Sequence, residues 1–179
     1  CKIIIMLRNP IERAYSGFHH VKRYNSKEDS LDFKSAWIVS EERYFSQCEM
    51  TPASRYQELG LYFRQVKSYL EQLKNVHIII YDDYKRDFHN EMKKLFDFLQ
   101  LNIITIDAEE RHMVGGWQWN NEKIKRLLIE KNSIKSFLKI LIPFKTFRSF
   151  IRKKIQNQNT TSVSRISDED KNMLKRFYK

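Results

Sequence analysis

The sequence predicts an α/β fold with a parallel sheet, and three observations carry this prediction. Residues 2–7 and 76–81 are short apolar runs rich in β-branched side chains, which is typical of strands covered on both faces. Each run is followed by a segment whose apolar residues have helical spacing. Because strand, helix, strand and helix in this order require crossover connections, we expect a three-layer domain around a parallel sheet.

Clear signals mark the end of the first strand and the start of the helix after it. Asn9 can cap the helix, Pro10 suits the first helical position, and Glu12 stands where a capping box has its acidic residue. We therefore expect a helix from Pro10 to about Tyr24. Residues 24–54 are mixed and polar, and they predict loops with one short amphipathic helix.

The middle of the chain predicts two more helices around the second strand. Apolar residues keep helical spacing from Tyr56 to Leu73, and Ser54 with Gln57 forms a second capping signal, so a helix should begin at Ser54. After the second strand, residues 88–99 place their apolar side chains on one helical face.

The last third of the chain has a different character. Residues 122–155 predict two or three basic amphipathic helices, broken at Pro143. The polar stretch QNQNTTSVS, residues 156–164, is typical of a linker. Ser167, followed by three acidic residues, then predicts the start of a final helix.

Composition limits the class of protein. A chain of 179 residues suggests one domain, residues 1–179, and 41% hydrophobic with 31% charged residues excludes general disorder. No apolar run approaches the roughly 18 residues of a membrane span. The two cysteines, Cys1 and Cys48, are too few for a disulfide framework and favour a reducing compartment. Only four glycines occur, so these residues hold no glycine-rich phosphate loop.

The net charge of +11 is concentrated near the end of the chain. Residues 1–121 contain 17 basic and 17 acidic side chains, whereas residues 122–155 contain 11 basic and two acidic ones. Such a local excess predicts that an anionic partner or surface meets residues 122–155. The alternative is a solvated basic face over an apolar core stripe, which is the commoner arrangement.

Arg8 and Ser16 are the candidate site residues that the pattern itself suggests. Arg8 ends the first strand, where open α/β sheets bind ligands, and Ser16 lies in the second turn of the next helix. A guanidinium, a helix N-terminus and a hydroxyl together suit a phosphate. The simpler alternative is that Arg8 forms a surface ion pair with Glu12 or Asp82.

These residues also resemble a known family. RNPIERAYS, residues 8–16, is similar to the 3'-phosphate-binding motif of sulfotransferases that use 3'-phosphoadenosine 5'-phosphosulfate. The resemblance continues through QELGLYFRQVKSYLEQL at 57–73 and IIIYDDYKRDFHNEMKKLFDFLQL at 78–101. The basic segment and residues 164–178 resemble the C-terminal part of bacterial and carbohydrate sulfotransferases. The resemblance to this family implies a P-loop-like architecture.

The resemblance also implies roles for individual residues. Arg8 and Ser16 would bind the 3'-phosphate of the nucleotide. Gly115 and Gly116, in the loop HMVGGWQW, would let backbone amides approach a phosphate, and Trp117 would stack on adenine. The alternative is that the glycines form only a turn and Trp117 covers the core. No metal is implied, and no spacing of histidines or cysteines suggests one.

The implied reaction transfers a sulfuryl group from the nucleotide to a hydroxyl or amine of an acceptor, such as a carbohydrate. In this family the loop for the 5'-phosphosulfate and the catalytic base precede the 3'-phosphate motif. We therefore expect this chain to be the C-terminal portion of such a domain, without the N-terminal strand–loop unit, also cut short at Lys179, and inactive alone. Catalytic residues stay unassigned, since His19, His20 and His112 fit ordinary helix or loop positions better than a base.

Two alternatives to a sulfotransferase remain open at this point. A non-catalytic basic module could bind nucleic acid, an acidic polysaccharide or an anionic membrane through residues 122–155, with nucleic acid the least favoured. A P-loop kinase would share the sheet, because fold does not determine function. The low glycine content with abundant lysine, isoleucine and asparagine favours a bacterial cytoplasmic protein. Such a protein could be free in the cytoplasm or attached to the membrane surface. The alternative compartment is the Golgi lumen.

Overall fold

The parallel pairing of the two predicted strands is confirmed. The computed structural model describes residues 1–25, 28, 30–45, 51–102, 104, 115–130 and 144–179. Strands β1 (Ile3–Leu7) and β2 (Val76–Ile80) pair in parallel, in a register that runs from Ile3 opposite Val76 to Leu7 opposite Ile80. A second, antiparallel pair joins β3 (Trp117–Trp119) to β4 (Thr160–Ser162).

Helices account for most of the described residues. Helices α1 to α8 span Pro10–Tyr24, Phe33–Phe45, Phe63–Gln72, Tyr81–Arg86, Phe88–Leu99, Glu122–Ile129, Lys145–Gln158 and Asp168–Phe177. Two short 3-10 turns, Pro52–Ser54 and Glu58–Gly60, precede α3. The predicted mixed helix and strand order with a parallel sheet is therefore correct.

The core forms where α1, α2 and α8 meet. Its buried side chains are contributed by elements far apart in the chain: Ala14, Phe18, Val21, Phe33, Ala36, Trp37, Tyr56 and Leu174. Aromatic rings dominate it, and Phe18 makes edge-to-face contacts with Phe33 and Tyr56. This packing holds α1 in place, so the strand end before α1 has a defined position.

Local capping signals are confirmed at both ends of the chain. The side chain of Asn9 accepts a hydrogen bond from the backbone N–H of Ile11 at 3.0 Å, and Pro10 is the first residue of α1. The Ser167 hydroxyl accepts from the backbone N–H of Asp170 at 3.0 Å at the start of α8. Glu12 does not close a capping box, because its carboxylate faces Arg8 instead.

The prediction that a helix begins at Ser54 is wrong. Helix α3 begins at Phe63, and Ser54 lies in a 3-10 turn where its hydroxyl donates to the Thr51 carbonyl at 2.8 Å. Tertiary contacts hold this segment, since Gly60 lies directly against the phenol of Tyr178, whose hydroxyl donates to the backbone carbonyls of Tyr56 and Gln57.

The predicted polar linker is also not a linker. Gln156–Gln158 completes α7, and Thr160–Ser162 forms strand β4, in which Ser162 pairs with Trp117. Threonine is β-branched and fits a strand once a partner is present. Trp117 therefore begins a strand, whereas the sequence placed it in a loop. Residues 131–143, with the predicted break at Pro143, lie outside the described residues.

One face of β1 differs from the expectation that both faces are covered. Ile4 is 44% exposed and Met6 is 53% exposed, while Ile3, Ile5 and Leu7 are partly buried on the other face. Parallel strands are usually covered on both sides. Within the part of the chain that the structure describes, β1 is packed on one face alone.

Candidate active site

The candidate site lies where the two parallel strands end. Leu7 and Ile80 are paired, so Arg8 and Tyr81, which follow them, emerge side by side at the same edge of the sheet. Helix α1 leaves this edge from the Asn9 cap, and α4 begins at Tyr81. The carboxyl end of a parallel sheet is the usual ligand-binding edge of such folds.

Arg8 is held at this edge by two neighbours. Its guanidinium carbon lies 5.3 Å from the ring centroid of Tyr81, in cation–π geometry, and its Nη2 lies 3.1 Å from Oε2 of Glu12. The Arg8 Nε is buried and has no hydrogen-bond partner among the described residues. The guanidinium is thus oriented but retains an unused donor, which is the condition for binding an added acceptor.

The ion-pair alternative is partly realised. Arg8 pairs with Glu12, as that alternative required, whereas Asp82 pairs with Lys85 at 3.0 Å. The Arg8–Glu12 pair is open to solvent, with side chains 34% and 48% exposed, so it contributes little to stability. An anion with more charge than a carboxylate can therefore compete for Arg8.

Tyr62 is a candidate that sequence reasoning missed. Its hydroxyl is buried, and burial raises the pKa of Tyr62, an effect that the charge of Arg13, the backbone N–H of Arg8 and the charge of Arg8 oppose. Two guanidinium groups and a protonated phenol therefore lie near one another at the N-terminal half of α1. The glycine-then-tyrosine pattern of residues 60–62 could have indicated it, but its position depends on the tertiary fold.

Ser16 lies in the second turn of α1, the helix that follows Arg8, and its side chain is half-buried. Ser16 is six residues after Pro10, the first residue of α1, or about 9 Å along the helix axis. The long side chain of Arg8 can span part of this distance. A single ligand that contacts both residues would therefore lie along the first two turns of α1.

Gly115, Gly116 and Trp117 lie at the opposite end of α1. The guanidinium carbon of Arg23 is 5.0 Å from the Trp117 ring centroid, and a Cβ on Gly115 would lie 3.8 Å from Arg23 Nη2. Arg23 is 13 residues beyond Pro10, the first residue of α1, or about 20 Å along the helix axis. The structure therefore does not bring this group together with Arg8.

The backbone at this end supports the turn alternative for the glycines. Gly116 has a φ of +82°, a conformation that glycine adopts without strain, and it leads directly into β3. Trp117 contacts Arg23 and the edge of Trp119, at 5.5 Å between ring centroids. The contact of Gly115, Gly116 and Trp117 with a nucleotide stays a prediction.

His19 lines a cleft between α1, β3 and α6. Both ring nitrogens are shielded from solvent and lack partners among the described residues, and burial, followed by the charges of Lys22 and Arg23, lowers the pKa of His19 to about 4. The cleft walls are mainly basic and polar: Lys22, Arg23, Gln118, Trp119, Glu122 and Lys125. His19 is therefore neutral at ordinary pH.

Of the other histidines, His20 and His77 each contact an aromatic ring. His20 is exposed at the edge of the Tyr24 ring, and burial, followed by Arg23, lowers its pKa. His77 stacks on Phe98 between α5 and the sheet. His112 lies outside the described residues. None of the described histidines touches Arg8.

Comparison with known proteins gives the family. The sequence matches the model of the sulfotransferase domain over residues 1–171, which is nearly the whole chain. The chain belongs to the sulfotransferase domain family. Comparison with curated proteins gives no match. The kinase alternative therefore loses its basis, since a shared sheet was its only support.

A solved sulfotransferase has a similar fold. The crystal structure of a sulfotransferase from Alicyclobacillus acidocaldarius matches this chain with a TM-score of 0.53 and 27% sequence identity. The match covers 72% of this chain and 49% of that protein. This sulfotransferase domain thus spans about half the length of its structural neighbour.

Metal clusters and membrane-spanning helices are both absent from the described residues. No group of three or more histidine, cysteine, aspartate or glutamate side chains is arranged to hold a metal ion within the described ranges. None of the described helices combines the length and apolar character that crossing a bilayer requires.

Proposed function

We propose that this sulfotransferase domain binds 3'-phosphoadenosine 5'-phosphosulfate and serves the transfer of its sulfuryl group to a hydroxyl or amine, as on a carbohydrate acceptor. The observation that carries the proposal is the unpaired, buried Nε of Arg8 at the carboxyl end of a parallel strand. The 3'-phosphate of the nucleotide would be its acceptor.

The residues around Arg8 fit a phosphate group. Tyr81 holds the guanidinium from one side, so Nε and a terminal nitrogen can donate together to two phosphate oxygens. Helix α1 adds the positive end of its dipole, and the Ser16 hydroxyl supplies a further donor. Arg13 and Tyr62 add charge and a second hydroxyl near the same edge.

These residues position the nucleotide and do not perform the chemistry. Sulfuryl transfer resembles phosphoryl transfer, in which an in-line displacement needs positioning, neutralisation of charge and a base at the acceptor. Arg8 and Ser16 supply the first of these requirements. The nucleotide itself supplies the activated sulfuryl group when bound.

The experiment compares two nucleotides that differ only in the 3'-phosphate. Calorimetry on the protein should show tighter binding of adenosine 3',5'-bisphosphate than of adenosine 5'-monophosphate. Arg8→Gln should weaken binding of the bisphosphate about tenfold to hundredfold, because a charge-assisted contact contributes roughly 1.5–3 kcal/mol. Binding of the monophosphate should change little.

Arg86→Gln is the matched control for this experiment. Arg86 is also an arginine in an exposed ion pair, with Asp83 at 2.6 Å, but it lies on the outer end of α4. Its loss should leave both affinities unchanged. Equal affinity of the parent protein for the two nucleotides would contradict the 3'-phosphate assignment.

A further inference from the structure

Helix α7, Lys145–Gln158, is the longest of the described helices that have no buried residue. None of its residues is buried, and Phe144 at its N-cap, Phe147 and Phe150 are 72%, 54% and 63% exposed. A helix of a globular protein normally buries an apolar stripe. Exposed phenylalanines on successive turns therefore indicate a contact that the described residues do not supply.

The arrangement around the helix axis is specific. At about 100° per residue, Phe147 and Phe150 lie roughly 60° apart with Lys154 between them, and Lys153 lies just beyond Phe150. We call these four residues the Phe147 face. Ile151 and Ile155 are half-buried and mark the side of α7 that faces the protein.

The charge of α7 is of one sign. Its 14 residues include five basic side chains and no acidic one, whereas residues 1–121 of the chain are balanced. The lysine stems of the Phe147 face can lie along an apolar surface while their ammonium groups stay in a polar layer. A partner for this face must therefore offer apolar contact and negative charge together.

We propose that α7 docks on the surface of an anionic phospholipid bilayer through the Phe147 face. The two phenylalanine rings enter the boundary between headgroups and acyl chains, and Lys153 and Lys154 contact lipid phosphates. A helix of 14 residues with five charges is too short and too polar to span a bilayer, but it can lie in the interface.

A bilayer fits this face better than a soluble polyanion. A polyanion that is read through its phosphates needs cations, and phenylalanines would add nothing to such a contact. Single-stranded nucleic acid could stack on the rings, which makes it the competing partner that the experiment must separate. The docking proposal does not depend on the proposed nucleotide site, so either can fail alone.

The test measures flotation of the protein with vesicles of phosphatidylcholine, with and without phosphatidylglycerol. We expect binding to the anionic vesicles alone, and weakening as salt is added. Lys153→Gln with Lys154→Gln should lower the partition coefficient about thirtyfold, from roughly 1 kcal/mol per charge near an anionic surface. Phe147→Ser with Phe150→Ser should lower it about tenfold or more.

Matched controls lie on other helices. Phe63→Ser removes a phenylalanine that is more exposed, at 76%, from α3. Lys171→Gln with Lys175→Gln removes two exposed lysines from α8, where acidic residues balance the charge. Both control variants should float like the parent protein.

A conservative variant gives a second readout that does not rely on loss of binding. Phe150→Trp keeps an aromatic ring, so it should bind as the parent does. Its tryptophan emission should be quenched by brominated lipid beyond the quenching of the native tryptophans.

Four results would overturn the proposal. Unchanged vesicle binding of the double phenylalanine variant, or no added quenching of Phe150→Trp, would show that the face does not enter the bilayer. Equal binding to neutral vesicles would remove the anionic lipid from the proposal. Absence of vesicle binding, together with RNA binding that the phenylalanine variant loses, would assign the face to nucleic acid.

Discussion

At the scale of single residues, Arg8 is paired with an internal carboxylate at the place where the proposed ligand would bind. Glu12 lies 3.1 Å from its guanidinium, and a bound phosphate would be repelled by the same carboxylate. The Arg8–Glu12 pair thus acts against the ligand that the site is proposed to hold. Glu12 also sits in the first turn of α1, where an acidic residue favours the helix slightly.

Glu12→Gln should therefore strengthen binding of adenosine 3',5'-bisphosphate about threefold to tenfold, consistent with the modest energy of an exposed pair. Calorimetry checks the change. Glu71→Gln is the control, since Glu71 forms an i,i+4 pair with Lys67 at 3.6 Å on α3. Affinity that stays the same or falls in Glu12→Gln would show that Glu12 does not compete for Arg8.

Position 60 requires a glycine because the phenol of Tyr178 leaves no room for a side chain there. An added Cβ would overlap the phenol of Tyr178, whose hydroxyl donates to the carbonyls of Tyr56 and Gln57 at 3.2 Å each. Gly60→Ala should lower the free energy of unfolding by roughly 1–3 kcal/mol, because Tyr178 must move and lose these bonds. Urea denaturation measures this change.

Gly17 gives the opposite expectation within the same protein. It lies inside α1, and an added Cβ would meet Tyr56 at 3.7 Å, an ordinary contact. Gly17→Ala should thus leave stability unchanged or raise it by up to about 1 kcal/mol, since alanine favours the helix. If both variants lost the same free energy of unfolding, the Tyr178 contact would not explain the loss in Gly60→Ala.

His19 makes stability depend on pH. Burial, followed by the charges of Lys22 and Arg23, lowers its pKa from 6.5 to about 4, so between these values the unfolded chain binds a proton that the folded chain does not. Folding free energy is therefore lost as the pH falls from about 6.5 toward 4. The loss between pH 7 and pH 5 should be roughly 1–2 kcal/mol.

Urea denaturation at several pH values measures this loss. His19→Gln should flatten the pH dependence in this range, whatever its stability at neutral pH. His20→Gln should have a smaller effect on the slope, because His20 is more exposed. An unchanged slope in His19→Gln would mean that other groups cause the loss.

At the scale of elements, side-chain caps decide where several helices begin. The Asn121 side chain accepts from the backbone N–H groups of Lys123 at 2.9 Å and Ile124 at 3.2 Å, which starts α6. Asn121→Ala should cost about 1 kcal/mol of unfolding free energy. The adjacent, exposed Asn120 is the control, since its backbone N–H donates to the Asn159 carbonyl at 2.8 Å and this bond does not need the Asn120 side chain. Equal losses in Asn120→Ala would contradict the role of the cap.

At the scale of the whole molecule, the first and last helices share one core. Leu174 of α8 is fully buried among residues of α1 and α2, including Ala14 and Trp37. We expect Leu174→Ala to lower the unfolding free energy by about 2–5 kcal/mol, the usual range for a buried leucine. Leu70→Ala, at a site that is 52% exposed, should cost far less.

The same variant tests whether α1 and α8 unfold together. Hydrogen exchange of both helices should accelerate equally in Leu174→Ala, because one core supports both. Faster exchange confined to α8 would show instead that this helix frays independently of α1.

Much of the fold could be predicted because its signals are local. The apolar runs of β1 and β2, the Asn9 cap with Pro10, and the Ser167 cap are each contained within a few residues. The motif at residues 8–16 likewise placed Arg8 and Ser16 on one strand–helix unit. For these features the sequence by itself was sufficient.

Contacts between distant segments decided the rest. Tyr81 lies beside Arg8 through strand pairing, Gly60 lies close against Tyr178, and Ser162 is extended because it pairs with Trp117. Intrinsic β-propensity is weak and depends on the partner strand, so the stretch around Thr160 was predicted as a linker until its partner was known. The sequence determined the family, the strand–helix order and the Arg8 edge. The tertiary structure alone decided what surrounds Arg8 and which face of α7 the described residues leave uncovered, because both depend on contacts between residues far apart in the chain.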